Sequence, residues 1–317
     1  MRKHDSMWRD ERLAEWHASY GLSYPITGMP FLTIEYDRGK PVGLVNYINR
    51  DAQLPHGPDI ALAYRAAGSL ASEDGSVLPF ITARYDNAVW AYQLYAHNLA
   101  AENLLRQVSP SGVAEGTEEE FASVLYAMRG KSLPDLSRWD VEFAAAPWHR
   151  DFEPSQDEEP WPGSTVSGRR RAFEPEGPAP FSVRIPCTDI DLAVTDHTGS
   201  LNLVVDYKLG DARVDPKSSS LGALSGLRQA NGLEVPAMVV RYIPSGDTCP
   251  PETECAEAHE WTFSVHCLNQ GARNELAYRL GELGQADRMA ALVAGAEWTG
   301  LAEPEWLALV NGLRGRA

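Results

Sequence analysis

The chain has 317 residues, 44% of them hydrophobic, which is enough apolar material for two ordinary domains. Its formal net charge of −16 excludes a protein that coats nucleic acid by bulk positive charge and leaves room only for a local basic groove. No run of about eighteen apolar residues is present, so no transmembrane helix is expected.

The first segment, "MRKHDSMWRDERLAEW", lacks an apolar h-region, so no signal peptide is expected. With four cysteines and no secretory signal, a reducing, cytoplasmic setting is expected. The elements then read α, β-hairpin, α, β, β, α, α, and that order occurs twice. "LPFITARY" (78–85) matches "VPAMVVRY" (235–242), and "WAYQLYAHNLAAENLL" (90–105) matches "WTFSVHCLNQGARNEL" (261–276). "EEEFASVLYAMRG" (118–130) matches "EPEWLALVNGLRG" (303–315), and Glu15–His17, "EWH", is echoed by "PWH" at 147–149. The matches keep their order, which points to a tandem duplication with repeats at 1–131 and 132–317.

In the second repeat a lead-in helix is expected near 135–148, with Asp140 and Glu142 on it as acidic candidates that also suit a solvated helix face. Residues 151–180, rich in Pro, Gly and charge, read as an inserted loop or linker. It carries the one dense basic cluster, Gly168 to Arg171. A second insertion, 243–260, holds Cys249, Cys255 and His259, whose spacing is not that of a familiar zinc site; Cys187 and Cys267 read as core residues.

Residues 190–208 read as a β-hairpin. Asp189–Val194 alternates polar and apolar, "DHTGS" (196–200) is a turn, and Leu203–Val205 is an apolar run that ends in Asp206-Tyr207-Lys208. Asp206 and Lys208 are two apart and share a face of the strand; across the hairpin Asp191 lies opposite Asp206. Two converging carboxylates repel unless a proton or a cation lies between them, and a hard divalent ion is the economical solution. After the hairpin, 218–233 reads as a helix capped by serine, followed by strands at 235–242 and 261–269 and helices at 274–295 and 303–315.

Asp191, a turn and then Asp206-x-Lys208 resemble the core signature of the PD-(D/E)xK nuclease superfamily, most closely its RecB-like and Holliday-junction-resolvase-like branch. The resemblance implies an α/β (α+β) fold of two tandem restriction-endonuclease-like αβββαβ domains with a mixed central sheet. It implies a nuclease, expected to act on DNA with Mg²⁺ or Mn²⁺ held by Asp191, Asp206 and the Tyr207 carbonyl, and Lys208 orienting the attacking water. Arg150, Arg169, Arg170, Arg171, Lys217, Arg228 and Gln229 are the candidate nucleic-acid contacts. The first repeat puts Leu32, Asn46 and Ile48 where the second has Asp191, Asp206 and Lys208, so it reads as a retained fold with a dead site, packed on the second as a pseudo-dimer. The other open reading is a non-catalytic nucleic-acid-binding or protein-interaction module that keeps the fold.

Overall fold

The computed structural model describes residues 11–21, 32–49, 58–86, 91–108, 116–136, 139–144, 164–170, 181–210, 214–245 and 260–315. The fold is mixed α/β, with eight helices and three sheets among these residues. The first sheet is built from β1 (Leu32–Asp37), β2 (Lys40–Asn49), β3 (Phe80–Asp86), β4 (Ala91–Ala96) and β5 (Gly116–Thr117), in the order β5-β4-β3-β2-β1. Helices α1 (Glu11–Ser19), α2 (Pro58–Gly68), α3 (Leu99–Val108) and α4 (Glu118–Met128) belong to this part of the chain. β6 (Trp139–Ala144), β7 (Ser164–Arg170) and β8 (Phe181–Ile185) form a small antiparallel sheet, and β9 (Cys187–Asp189) follows. The five-stranded sheet contains β10 (Leu192–Thr195), β11 (Leu201–Leu209), β12 (Ala237–Ile243), β13 (Thr262–Cys267) and β14 (Thr299–Ala302), in chain order. Its helices are α5 (Ser219–Ser225), α6 (Gln270–Glu282), α7 (Ala286–Val293) and α8 (Glu303–Arg314).

The two larger sheets repeat each other in order, direction and register. Each opens with an antiparallel hairpin whose second strand runs parallel to the next strand, and two antiparallel pairings follow. Leu44 pairs with Phe80 as Val204 pairs with Ala237; Ile81 pairs with Ala96 as Met238 pairs with Cys267. Ala91 pairs with Thr117 as Thr262 pairs with Ala302. These are the same pairs of segments that match in sequence.

One side-chain network is also duplicated. Asn98 caps α3 by accepting from Ala101 N at 2.9 Å, and its Nδ2 donates to Gly68 O and Leu78 O at 2.9 and 2.8 Å. Asn269 caps α6 by accepting from Ala272 N at 2.9 Å, and its Nδ2 donates to Ser225 O and Val235 O at 3.3 and 2.7 Å. A side-chain acceptor at the N-cap satisfies an otherwise orphaned helix N–H. Here the same amide also ties the strand entry to the end of the preceding helix.

The halves meet on a shared apolar core. Leu32, Ile34, Leu44, Ala67 and Phe80 of the first pack with Ile190, Val204, Ala223, Leu227 and Ala237 of the second. Ala71 and Arg228 exchange backbone hydrogen bonds at 2.8 and 2.9 Å, and each bridges onward within its own half, to Val77 and Glu234. The turn glycines cross over as well. Gly39, at φ 78°, lies against Ser219 of α5, and Gly199, at φ 85°, lies against Leu62 of α2. Each half thus offers the same patch to the other, as subunits of a two-fold dimer do.

Two segments cross the seam. α1 buries Leu13 and Trp16 in the second half's core, beside Leu192, Phe263 and Trp306, and Trp16 Nε1 donates to Glu303 at 2.7 Å. In the other direction β9 adds to the edge of the first sheet, with Thr33 opposite Asp189. Arg129, just after α4, holds that junction. It forms a buried ion pair with Glu35 at 2.8 Å and donates to Pro186 O at 2.7 Å.

The structure corrects three expectations. Residues 139–144 form a strand, because Trp139, Val141 and Phe143 alternate with Asp140 and Glu142 at the period of a strand. Within 151–180, residues 164–170 also form a strand; the rest of that stretch lies outside the described residues. The helix expected over 218–233 stops at Ser225. At Gly226 a Cβ would come within 2.8 Å of Pro41 Cδ, and the chain turns into the Arg228–Glu234 bridge. Its Ser218 cap is as expected. Among the described residues no helix is long and apolar enough to cross a membrane.

Candidate functional site

The hairpin of β10 and β11 carries the candidate site. Leu192, Val194, Leu203, Val205 and Tyr207 point into the second core, so period-2 alternation turns Asp206 and Lys208 to the opposite face. Leu192 pairs with Val205, which puts Asp191 across from Asp206. Asp191 lies where the chain passes from one sheet to the other: Ile190 N donates to Leu32 O at 3.0 Å, and Asp191 N donates to Val205 O at 3.1 Å. The bend is held by the Asp191 carboxylate, whose Oδ2 accepts from Tyr207 N at 2.7 Å.

Asp191 and Asp206 are 6% and 5% exposed. Asp206 Oδ1 lies 2.7 Å from Lys208 Nζ. Burial pushes the Asp206 carboxyl above the ordinary aspartate range; the Lys208 ammonium opposes this rise and the charge of Asp189 adds to it. For Lys208, burial pulls the other way, but Asp206, Asp191 and Asp189 together hold its pKa above the usual lysine value. The lysine side chain is 39% exposed, so the cluster opens to solvent on that side.

Tyr207 supports the site from behind. Its hydroxyl accepts from Trp306 Nε1 at 3.2 Å and lies 3.1 Å from His17 Nε2 of α1. Burial lowers the His17 pKa to about 3, so the ring is neutral at pH 7 and can accept a hydrogen bond from the tyrosine hydroxyl. The first half has the same backbone and different chemistry. Leu32 faces Asn46 in the register where Asp191 faces Asp206, and Leu32, Asn46 and Ile48 are all buried. Asn46 Nδ2 donates to Tyr64 Oη at 2.9 Å.

Other expected contacts lie elsewhere. Gln229 is in a turn, with Nε2 donating to Leu201 O at 3.0 Å. Leu201 is five residues from Asp206 along β11, about 17 Å at the rise of a strand, so Gln229 is at the wrong end of the sheet. Arg228 belongs to the seam: it donates to Ser225 O and Leu227 O at 3.0 Å and lies 3.6 Å from Glu234. Lys217 is exposed in the turn before α5. Arg169 and Arg170 are on β7, opposite Asp140 and Trp139 of β6, rather than in a loop. Asp140 and Glu142 are on a strand that packs near α4 of the first half, not on a helix leading into the hairpin. Arg150, Arg171, Cys249, Cys255 and His259 lie outside the described residues. Cys187 and Cys267 are buried, as core residues should be.

One residue of the cluster, Asp189, was not singled out from the sequence, although the spacing Asp189-x-Asp191 was its signal. Among the described residues no group of three or more His, Cys, Asp or Glu is arranged to hold a metal ion. What the hairpin offers is a carboxylate pair and a lysine. No protein-family model, curated protein or solved structure matches the chain.

Proposed function

We propose that the second half is a metal-dependent nuclease, acting on DNA, and that the first half is its inactive counterpart. In this reading the chain is a tandem pair of restriction-endonuclease-like repeats, 1–131 and 132–317, of the PD-(D/E)xK kind. One observation carries it: two sheets with the same strand order and register differ at three facing positions, charged in one half and uncharged in the other. The first sheet forms without those charges, so folding does not require them. Desolvating two carboxylates side by side is costly, and such costs collect at functional sites.

The donor set fits magnesium or manganese. Magnesium is commonly held by one or two carboxylates, with waters and substrate phosphate filling the remaining positions. Asp191 and Asp206 would hold it, with the Tyr207 carbonyl as a further oxygen. The ion, when bound, supplies polarisation of the scissile phosphate and a more acidic water. Lys208, kept protonated by the carboxylates around it, would orient that water by hydrogen bonding. Asp191, fixed by the Tyr207 N–H, sets the angle between the two carboxylates.

The 2.7 Å Asp206–Lys208 pair is also a closed charge balance in itself. It favours, as the second reading, a non-catalytic nucleic-acid-binding or protein-interaction module. Single-stranded, duplex and branched DNA incubated with Mg²⁺ or Mn²⁺ separates the two. The nuclease reading expects cleavage by the native protein and none by Asp206→Ala. Intact substrates in every arm would leave the interaction module.

A further inference from the structure

The strongly acidic chain must still hold a phosphodiester beside two aspartates. We infer that Arg241, stacked on Trp298, is the phosphate-binding residue of this site; the inference rests on the nuclease reading and names how its substrate is held. Lys208 pairs directly with Arg241 across the parallel β11–β12 ladder, so the two side chains leave the same face about 4.8 Å apart at the backbone. The next residue in that row is Ser264, and His266 stands in the row of Asp206 and Val239. The guanidinium carbon lies 4.1 Å from the centre of the Trp298 ring. Stacking fixes the plane of the guanidinium and leaves its N–H edge for an acceptor. Arg241 Nε is buried with no hydrogen-bond partner among the described residues, and no described carboxylate pairs with it. A buried donor without an acceptor is costly, and a phosphate oxygen matches the guanidinium fork.

The first half gives the comparison. An arginine, Arg84, stands at the same register there, opposite Ile48, with its Nε likewise buried, so neither the arginine nor its buried Nε marks the site by itself. Its surroundings do. Lys208 is replaced by Ile48, and His266 by Tyr95. In the half that carries the aspartates the arginine is stacked on Trp298 and flanked by Lys208; at the matching register of the other half the flanking residue is Ile48.

The test uses the full chain carrying Asp206→Asn, in EDTA, so that neither metal nor cleavage enters. Binding of a labelled twelve-residue oligothymidylate is followed by anisotropy across a salt series. Adding Arg241→Gln should weaken binding about tenfold and reduce the log–log salt slope by about 0.7, the loss of one phosphate contact on a single strand. Arg241→Lys and Trp298→Val keep the charge; each should weaken binding about threefold and leave the slope unchanged. They decide the matter if Arg241→Gln does not fold. Unchanged affinity and slope in these variants would overturn the assignment. If the native protein cuts no DNA with magnesium while these effects hold, the nuclease reading falls and the phosphate site stands. Cleavage and binding that ignore Arg241 would sink the phosphate site alone.

Discussion

Asp206 and Asn46 occupy the same place in two copies of one sheet, and the contrast between them can be measured. Because burial raises the Asp206 pKa, the folded state holds its proton more tightly than the unfolded chain does. Its contribution to stability is therefore full below the ordinary aspartate value of about 3.9 and is lost as pH rises through the folded value. At pH 7 without metal, Asp206 carries a folded-state cost that Asn does not. Asp206→Asn should raise the melting temperature at pH 7 in EDTA by about 2 °C or more, and the gain should shrink toward pH 4. Calorimetry at the two pH values checks this; a loss of stability would make Asp206 a structural ion-pair partner. Arg129 is the opposite case. Replacing it with Ala strands the buried Glu35 and should cost about 3–5 kcal/mol in urea unfolding. The aspartates and Lys208 were legible because a period of two fixes which side chains share a face. Arg241 was not: the matching segments at 78–85 and 235–242 both carry an arginine, and only the pairing with Lys208 and the stack on Trp298 set it apart.

At the scale of elements, Asn98 and Asn269 make the same set of bonds in the two halves. Asn98→Ala and Asn269→Ala should each cost about 2 kcal/mol, the upper end for a helix cap, since each also frees two buried carbonyls. The two losses should be nearly additive, because the sites share no partner. Urea unfolding of both single variants and the double variant checks this. The repeat was legible because the apolar frame, the cap and the turn glycines recur in order. The lead-in helix expected near 135–148 gives way to a strand over 139–144, where Trp139, Val141 and Phe143 recur at a period of two. The end of α5 was invisible for a different reason: the close approach of Pro41 to Gly226 is tertiary and leaves no local mark.

For the whole molecule, the crossing of α1 and β9 makes the halves interdependent. A chain comprising 132–317 alone lacks Leu13, Trp16 and His17 and exposes the shared core. It should show neither cooperative thermal unfolding nor dispersed amide resonances, and either would contradict the account of the seam. Interdependence leaves one charged site on a two-fold frame, and that asymmetry is the central claim. Its most direct test is the time course of supercoiled plasmid with magnesium and the native protein at low concentration. One site per chain predicts that open circles accumulate first and linear DNA appears later, with no cleavage by Asp206→Asn. Linear product formed at once, independent of protein concentration, would contradict a single site, and plasmid left supercoiled throughout would contradict the nuclease itself.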